Sequence, residues 1–440
     1  MDPVLLSRIQ FGLNAGFHFI FPPLTFGITL IILILETIYL IKNDEIAKAA
    51  SSFMIKILGL IFTMGVATGI VLEFSFGTNW SAYSRVVGDI FGAPLAAEGV
   101  FSFFMESVFL GILVFGRSRV SKRVFWLSSL LVFFASHLSG LWIIIANSWM
   151  QTPAGYALEG GRAMLVNFFE AAFNPSTVVR YVHVVLAAWT TGSLMTAGIC
   201  SWYIIKSRHV LPARLLFSVA VALFFASALL QLGSGHGHAV QVANLQPEKT
   251  AAFEALWKTQ KGAPISLFGI PDERNQKTLF EISIPKLLSL LIHMNPDAEV
   301  KGFDAFRHED RPPVLLPYLS YHVMIGLGFM FVGMALLGIC LALCKQLFAA
   351  KWYHRILLCI SPLPLLANEG GWIAAEVGRQ PWAVYKVLRT AEAASSSVPA
   401  WQILFTIIMF SIIYALIFAV FLKILLGMIQ KGPEYSQGSY

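Results

Sequence analysis

Hydrophobic positions in this chain group into long blocks, instead of recurring with the short periods of soluble helices and strands. The blocks run for about 18 to 25 residues, and a helix needs about 20 apolar residues to cross the hydrocarbon core of a bilayer. The pattern therefore predicts an all-α, polytopic membrane protein, a bundle of nine transmembrane helices. The predicted spans are residues 15–41, 52–76, 94–116, 124–147, 178–205, 213–232, 316–344, 355–377 and 401–426.

One polar connection, residues 233–315, is much longer than the others. It begins with GSGHGHAVQ, continues with a helical-looking PEKTAAFEALWK run and has a proline-bearing middle around FGIPDERN. Loops this long are usually functional or disordered, and the apolar residues here favour a binding or docking role. We therefore divide the chain into N-terminal helices (1–232), a large loop (233–315) and C-terminal helices (316–440).

Basic residues predict the orientation of the bundle. The connections that follow the odd-numbered spans are rich in Lys and Arg, whereas loops 77–93 and 148–177 each offer a single Arg. By the positive-inside rule, the N-terminus and the large loop lie outside and the C-terminus lies in the cytoplasm. An odd number of crossings agrees, because it puts the two termini on opposite sides.

The amino-acid composition further restricts the class of protein and the partners it can have. With 57% hydrophobic and 12% charged residues, the chain is far more apolar than a soluble domain. Its net charge of +7 falls in short clusters between spans, which argues against a nucleic-acid partner. The 36 Phe and 11 Trp residues suit lipid-facing surfaces and the walls of a site for a flat cofactor. The four cysteines form no CxxC or CxxCH motif, so we expect buried structural thiols.

Two carboxylates interrupt the third span. A charge at bilayer depth costs about 2.5 to 3.5 kcal/mol on insertion scales, so each is a candidate functional group. On an α-helix, Glu98 and Glu106 would lie about 12 Å apart along the axis with a face offset of roughly 80°. They form a candidate proton relay, and the alternative is a pair of structural acids bonded to neighbouring helices.

Potential metal ligands lie near the outer ends of three other spans. His18 is in the first span, His183 in the fifth and Met324 in the seventh. Imidazole is the commonest metal ligand, and a His/Met pair is a low-spin axial set for haem iron. Taken singly, each residue is also explained by ordinary packing.

The densest signal is the string NEGGWIAAEVGRQPW, residues 368–382. Glu369 and Glu376 lie seven residues apart and so share a helix face. Gly378 and Pro381 are expected to end the helix.

The polar and aromatic residues of this string suit a porphyrin. An arginine fork matches carboxylates such as haem propionates, and tryptophan can pack on a porphyrin face. A solvated arginine at the membrane rim is the alternative. The candidates are Arg379, Gln380, Trp372 and Trp382.

Over nearly its whole length the chain resembles the large subunit, subunit I, of cytochrome bd-type quinol oxidases. The resemblance rests on SRIQFGLNAGFHFIFPPLT, GVATGIVLEFSFGTNWSAYSRVVGDIFGAPLAAEG, LWIIIANSWMQTP, QPEKTAAFEA and GWIAAEVGRQPW, in that order. It implies a bacterial inner-membrane enzyme that oxidises ubiquinol or menaquinol and reduces O2 to water, with three haems and no copper. A second large membrane subunit and a small single-helix accessory subunit are the partners it implies.

The resemblance also implies the haem ligands. His183 and Met324 correspond to the axial ligands of a low-spin haem b. His18 and Glu376 resemble the ligands of two high-spin haems, one haem b and one usually haem d, and the motifs leave open which residue takes which haem.

Further roles follow position by position from the same resemblance. Glu98 matches the acid beside the oxygen-reducing haem, and Glu106 resembles the proton path, with Ser139 and Asn147 as accessory candidates. The residues that frame a haem in the family correspond to Arg379, Gln380 and Trp382, with Arg8 and Trp372 as weaker candidates. In the family's Q loop, the residues associated with quinol correspond to Lys249 and Glu254.

Two features depart from many members of the family. His322 stands two residues before Met324, where an arginine is common, so a fixed positive charge is lost. Positions two apart lie about 200° around a helix, and we therefore expect His322 and Met324 to face different directions. The Q loop lacks a long insertion that some members carry. In this respect the chain resembles the short-loop, cyanide-insensitive subgroup, in which haem d is sometimes replaced by haem b.

The implied mechanism oxidises quinol at the periplasmic side and takes protons for oxygen reduction from the cytoplasm, generating proton motive force without a pump. The leading alternative is an ion-coupled secondary transporter with intramembrane carboxylates. Against it, the two halves show no inverted repeat, and the candidate ligands cluster toward one face. A haem-bearing subunit that only passes electrons is a third interpretation.

Overall fold

The computed structural model describes residues 2–435. Within this range nine helical spans are long and apolar enough to cross a membrane. Some of these spans are continuous helices and others are interrupted. The count and the helical character confirm the prediction of an all-α membrane protein. Each predicted span overlaps one of them. The nine are Pro3–Lys42, Glu45–Thr78, Ser81–Phe115, Lys122–Gln151, Thr177–Ile205, Val210–Leu245, Leu315–Leu343, Lys351–Val377 and Ala400–Lys431.

Three of these spans are interrupted. Consecutive prolines in Phe21-Pro22-Pro23 lack backbone N–H groups and so start a second helix within the first span. A π-helical turn, Glu98–Phe103, interrupts the third span. Ser361 and Pro362 divide the eighth. The resulting helices are α1 (Pro3–Phe19), α2 (Phe21–Lys42), α4 (Ser81–Ala97), α5 (Phe104–Phe115), α13 (Lys351–Ile360) and α14 (Leu363–Val377).

The other six spans are continuous helices with local end signals. Asn43, in the left-handed conformation, ends α2, and the Asp44 carboxylate then accepts the N–H of Ile46 at 2.8 Å to start the next helix. The continuous helices are α3 (Glu45–Thr78), α6 (Lys122–Gln151), α8 (Thr177–Ile205), α9 (Val210–Leu245), α12 (Leu315–Leu343) and α16 (Ala400–Lys431).

The fifth span, α8, lies at the centre of the bundle, with buried residues around most of its circumference. It crosses α2 where two glycines meet, since a Cβ atom added to Gly192 would lie 2.6 Å from the Gly27 Cα. Small residues at such crossings allow membrane helices to pack backbone to backbone.

Short elements form the caps that connect the helices. All four sheets in residues 2–435 are antiparallel pairs: β1 with β2, β3 with β6, β4 with β5, and β7 with β8. The strands are β1 (Tyr156–Glu159), β2 (Arg162–Leu165), β3 (Gln260–Lys261), β4 (Ile265–Asp272), β5 (Lys277–Ile284), β6 (Glu299–Val300), β7 (Trp382–Val384) and β8 (Leu388–Arg389). The short helices are α7 (Phe168–Ala172), α10 (Pro247–Phe253), α11 (Leu287–His293) and α15 (Thr390–Ala393), with 3-10 turns at Phe303–Ala305 and His308–Asp310.

The prediction for the start of the large loop was wrong. The GSGHGHAVQ segment continues α9 to Leu245, so the loop begins at residue 246 and not at 233. Glycine is tolerated within membrane helices. Here Gly235 faces the His183 ring, since a Cβ atom at this position would lie 3.4 Å from it, at van der Waals contact.

The expectation of buried thiols holds for one cysteine only. Cys200 is buried in α8, whereas the other three side chains are exposed on the helical surface. A span whose outer side faces lipid can place a thiol there without a protein contact. The exposed residues are Cys340, Cys344 and Cys359.

We predict that Gly192→Ala destabilises the protein by about 1–3 kcal/mol, because the added methyl group overpacks the α2–α8 crossing. Thermal unfolding of the detergent-solubilised protein measures the effect. Gly233→Ala is the matched control, since nothing lies within 4 Å of a Cβ atom at that position. Equal melting temperatures for the two variants would contradict the prediction.

Candidate functional site

His18 lies at the end of α1 and faces α3. Its Nδ1 is 2.9 Å from the Thr68 hydroxyl, which itself donates to the Met64 carbonyl at 2.8 Å. The hydroxyl therefore accepts from Nδ1–H, and the Nε2 lone pair remains free. A histidine held through its other nitrogen is the usual arrangement for a metal ligand.

His183 is held in a similar way between α8 and α9. Its Nδ1 lies 3.2 Å from the Ser234 hydroxyl, which donates to the Gln231 carbonyl. The Gln231 amide nitrogen lies 3.2 Å from each ring nitrogen, over the imidazole. His238 packs edge-on at 5.3 Å between ring centroids. These contacts fix the orientation of the His183 ring.

Met324 of α12 packs against the paired glycines of α14. A Cβ atom at Gly371 would lie 2.7 Å from the Met324 sulfur, and one at Gly370 would lie 3.7 Å from the Met324 Cβ. A side chain at position 371 would displace the thioether from its present position. The Gly-Gly pair of the NEGGW string therefore leaves the space in which the Met324 side chain lies.

His322 does not share the direction of Met324. Its Nδ1 is 2.8 Å from the Tyr318 carbonyl and its Nε2 is 2.8 Å from the Ser266 carbonyl in β4. Both nitrogens are engaged by backbone carbonyls, so neither is available to a metal.

Glu376 lies at the centre of a hydrogen-bonded cluster. Its Oε1 accepts from Asn147 Nδ2 at 3.0 Å and from Gln151 Nε2 at 3.1 Å, and its Oε2 accepts from Arg379. Arg180 in turn donates to the Asn147 carbonyl at 3.3 Å. Asn147, an accessory candidate for the proton path, therefore bonds this carboxylate.

Lys249, from the start of the large loop, is also buried in this region. Its ammonium donates to Gln151 Oε1 at 2.5 Å and to Gln246 Oε1 at 2.7 Å. Burial, with the nearby Arg180 charge, holds the pKa of Lys249 well below its usual range. The sequence treated Lys249 and Glu376 as separate sites, whereas a single amide side chain joins them.

This region carries more buried positive than negative charge. The cations Arg180, Lys249 and Arg379 are all buried, and the carboxylates beside them are Glu376 and Glu248. Within residues 2–435, Arg379 Nε and Nη1 are buried without a hydrogen-bond partner. Unpaired buried charge is strongly destabilising, so the cluster fits an additional anionic group.

Trp382 and Gln380 extend the cluster toward the outer surface. The buried Trp382 Nε1 has no partner within the described chain, and the Arg389 guanidinium lies 4.3 Å from the indole centroid. Gln380 accepts from Thr390 at 2.7 Å. A cleft of about 360 Å³ opens here, lined by Pro247, Glu248, Arg307, Asp310, Trp382 and Lys386.

Two weaker candidates lie apart from this cluster. Arg8 is exposed on α1 and makes no hydrogen bond or ion pair within residues 2–435. Trp372 is half-buried on α14. Arg8 therefore has no hydrogen bond or ion pair with the other predicted site residues in the described part of the chain.

The acids of the third span lie on either side of the π-helical turn. Glu98 opens that turn and accepts from the Ser139 hydroxyl at 2.7 Å. Glu106 is buried, and its Oε1 has no partner among the described residues. Ser139 therefore serves Glu98 rather than Glu106. The predicted face offset assumed a continuous α-helix and does not apply, and π-helical turns often mark functional sites.

Glu254 is buried where the large loop rests on α12. Its Oε2 accepts the Ser266 N–H at 3.0 Å. Burial raises the pKa of Glu254 to about 8; the Ser266 N–H acts in the opposite direction, and the charge of Glu281 adds to the rise. The preceding Phe253 stacks on Tyr321 at 4.5 Å.

Several residues of these sites were not predicted from the sequence. Gln151 lies in the quoted WMQTP block, and Arg180 interrupts the fifth span, so both carried a signal. Thr68 likewise lies in the quoted GVATGIVLEF block, whereas Gln231 lies outside every quoted string and Ser234 lies in a segment that resembled a loop. The unpredicted residues are Thr68, Gln151, Arg180, Gln231, Ser234 and Gln246.

Comparisons with known proteins agree over the whole chain. Residues 6–433 match the family described as cytochrome bd terminal oxidase subunit I. The chain is 37% identical to cytochrome bd ubiquinol oxidase subunit 1 of Bacillus subtilis, over 99% of this chain and 95% of that protein. It is 32% identical to cytochrome bd-II ubiquinol oxidase subunit 1 of Escherichia coli, over 99% and 98% respectively. The structure of bd oxidase from Geobacillus thermodenitrificans superposes with a TM-score of 0.91 at 28% identity, covering 98% of this chain and 99% of that one.

Proposed function

The chain belongs to the cytochrome bd terminal oxidase subunit I family, and from this premise we propose how its residues divide the work of the enzyme. It is a subunit of a bd-type ubiquinol oxidase, a terminal respiratory enzyme of the membrane. Family membership implies bound haems and further subunits, and it decides against the secondary transporter considered above.

We propose that His183 and Met324 would hold a low-spin haem b, and that His18 and Glu376 would each hold one of two high-spin haems, one of type b and one of type d or b. The contacts of the histidines support this assignment, because a hydroxyl on a neighbouring helix holds Nδ1 of each ring. When bound, the haems supply the redox chemistry. The protein supplies ligands, hydrogen bonds and a dry environment.

The observation that carries the proposal is the buried Arg379 guanidinium, which bonds Glu376 through one nitrogen only. Two nitrogens of Arg379 lack a partner within the described chain. Haem propionates provide carboxylates that a guanidinium fork binds in two-point contacts. In our proposal Arg379 holds a propionate, with Trp382 Nε1 as a further donor and Gln380, Trp372 and Arg8 as lesser candidates. The surplus of buried positive charge near Lys249 supports the same assignment.

We assign quinol oxidation to Lys249 and Glu254. Lys249 donates hydrogen bonds, and Glu254 accepts a proton as the quinol is oxidised. The pKa of Glu254, about 8, leaves only a minority of the group as carboxylate at pH 7, and this accepting form grows as the pH rises toward 8. The cleft beside Trp382 and Glu248 supports access from the outer surface. We place this surface in the periplasm, with the C-terminus in the cytoplasm.

Protons for oxygen reduction enter from the opposite side. Glu106 takes up a proton at bilayer depth, where a carboxylate relay is an economical route through hydrocarbon. Glu98 then holds a proton beside the haem pair, oriented by the Ser139 hydroxyl. Because quinol releases protons outside and oxygen reduction draws them from inside, this geometry generates proton motive force without pumping.

We also propose that the chain belongs to the short Q-loop subgroup. The loop between α9 and α12 covers only residues 246–314. The alignment to the Escherichia coli relative extends over 504 positions, against 446 for the Bacillus subtilis one, so this chain lacks segments that the former carries. We expect a second large subunit and a small single-helix subunit in the complex.

His183→Leu and Met324→Leu are each expected to remove the low-spin haem b bands while the high-spin bands remain. Reduced-minus-oxidised optical spectra of the purified complex measure this loss. Met334→Leu, on the same helix as Met324, is the matched control and keeps all bands. Full low-spin bands in both ligand variants would show that the assigned pair is wrong.

Glu106→Leu is expected to slow quinol-driven oxygen consumption by roughly 100-fold or more, because a positioned proton carrier contributes on this scale. All haem bands should remain. If bands disappear instead, Glu106 is a structural acid. A wild-type complex that binds haem but consumes no oxygen with quinol would identify an electron-transfer subunit.

The rate of quinol oxidation below saturation is expected to rise about tenfold per pH unit toward pH 8 and then level off. Below its pKa of about 8 the Glu254 carboxyl already carries a proton, and it cannot accept another. Glu254→Gln should abolish this dependence. Glu281→Gln is a graded control that moves the inflection to lower pH, since it removes a charge that raises the pKa of Glu254. An unchanged pH profile in Glu254→Gln would contradict the assignment.

A further inference from the structure

Gln151, the last residue of α6, uses both ends of its amide on charged groups. Its Oε1 accepts from the Lys249 ammonium at 2.5 Å, and its Nε2 donates to Glu376 Oε1 at 3.1 Å. An ammonium only donates and an ionised carboxylate only accepts, so these partners fix which way the amide points. The side chain is 2% exposed. It forms a direct link between two residues that lie in different parts of the sequence.

The end of α6 is itself anchored near Arg379. The Met150 carbonyl accepts the Tyr385 N–H at 2.9 Å, which ties the helix end to the β7–β8 hairpin. The Tyr385 hydroxyl then donates to Glu248 at 2.6 Å, beside Lys249. Gln151 is therefore held in place from both sides of the link.

We propose that Gln151 is a positioning residue that couples the quinol-binding lysine to the carboxylate haem ligand. This inference rests on the roles proposed above for Lys249 and Glu376. Hydrogen bonds to charged groups are shorter and stronger than neutral ones, and bonds in a chain polarise one another. When Lys249 binds quinol, its bond to Gln151 changes, and the strength of the donor that Gln151 offers to Glu376 changes with it.

Gln151→Met removes both hydrogen bonds at nearly constant volume. We expect the KM for quinol to rise about tenfold, the effect of losing a hydrogen bond to a charged group. A carboxylate with fewer donors gives more electron density to iron, so the midpoint potential of the haem bound to Glu376 should fall. The low-spin haem keeps its bands and its potential.

Gln10→Met is the matched control in the same oxidase complex. Gln10 is also a buried glutamine with both amide ends bonded, to Thr406 and Asn79, but it lies on α1 away from Lys249. This variant should leave the KM for quinol and all midpoint potentials unchanged. A similar rise in KM in Gln10→Met would mean that loss of any buried amide loosens the bundle, which would overturn the proposal.

A double-mutant cycle with Lys249→Met tests the coupling itself. In the wild-type background, Lys249→Met should shift the potential of the Glu376-bound haem, and in the Gln151→Met background it should not. Equal shifts in the two backgrounds would overturn the inference. A wild-type complex without haems, or without quinol oxidation, would instead refute the proposed function, so the two failures are distinguishable.

Discussion

The site depends on a cluster of buried charges that the protein alone does not balance. Arg180, Lys249 and Arg379 are buried together, with Glu376 and Glu248 as the neighbouring acids. An unpaired charge in a low-dielectric interior costs several kcal/mol, so an anionic partner that completes such a cluster stabilises it. Haem propionates have the charge and the planar geometry for that role. In this account cofactor binding and stability of the outer half of the bundle are linked.

Interruptions of the helices place the other functional groups. His18 stands just before the Phe-Pro-Pro break of the first span, and Glu98 begins the π-helical turn of the third. The Gly-Gly pair of α14 leaves space for the Met324 sulfur. A continuous helix would carry these side chains along its surface at fixed spacing. The breaks and glycines instead set the direction and the surroundings of each of these side chains locally.

The sequence predicted the membrane spans well, because twenty consecutive apolar residues are a local signal. It also located His18, His183 and Glu376, since polar groups at bilayer depth stand out, but their roles came from the family resemblance. It did not predict that Ser139 serves Glu98 or that Asn147 and Gln151 serve Glu376. Those pairs join residues far apart in the chain, and neither periodicity nor composition reports such contacts. The helical extension of α9 was missed because glycines and histidines resemble a loop.

An experimental density map of the purified oxidase complex tests the central claim most directly. The account predicts three porphyrins near the outer face, with iron bonded to His183 and Met324 together, to His18 and to Glu376. It also predicts a propionate within hydrogen-bonding distance of Arg379. A map from haem-replete cells in which Arg379 faces only protein atoms or water, with no porphyrin beside Glu376, would contradict it.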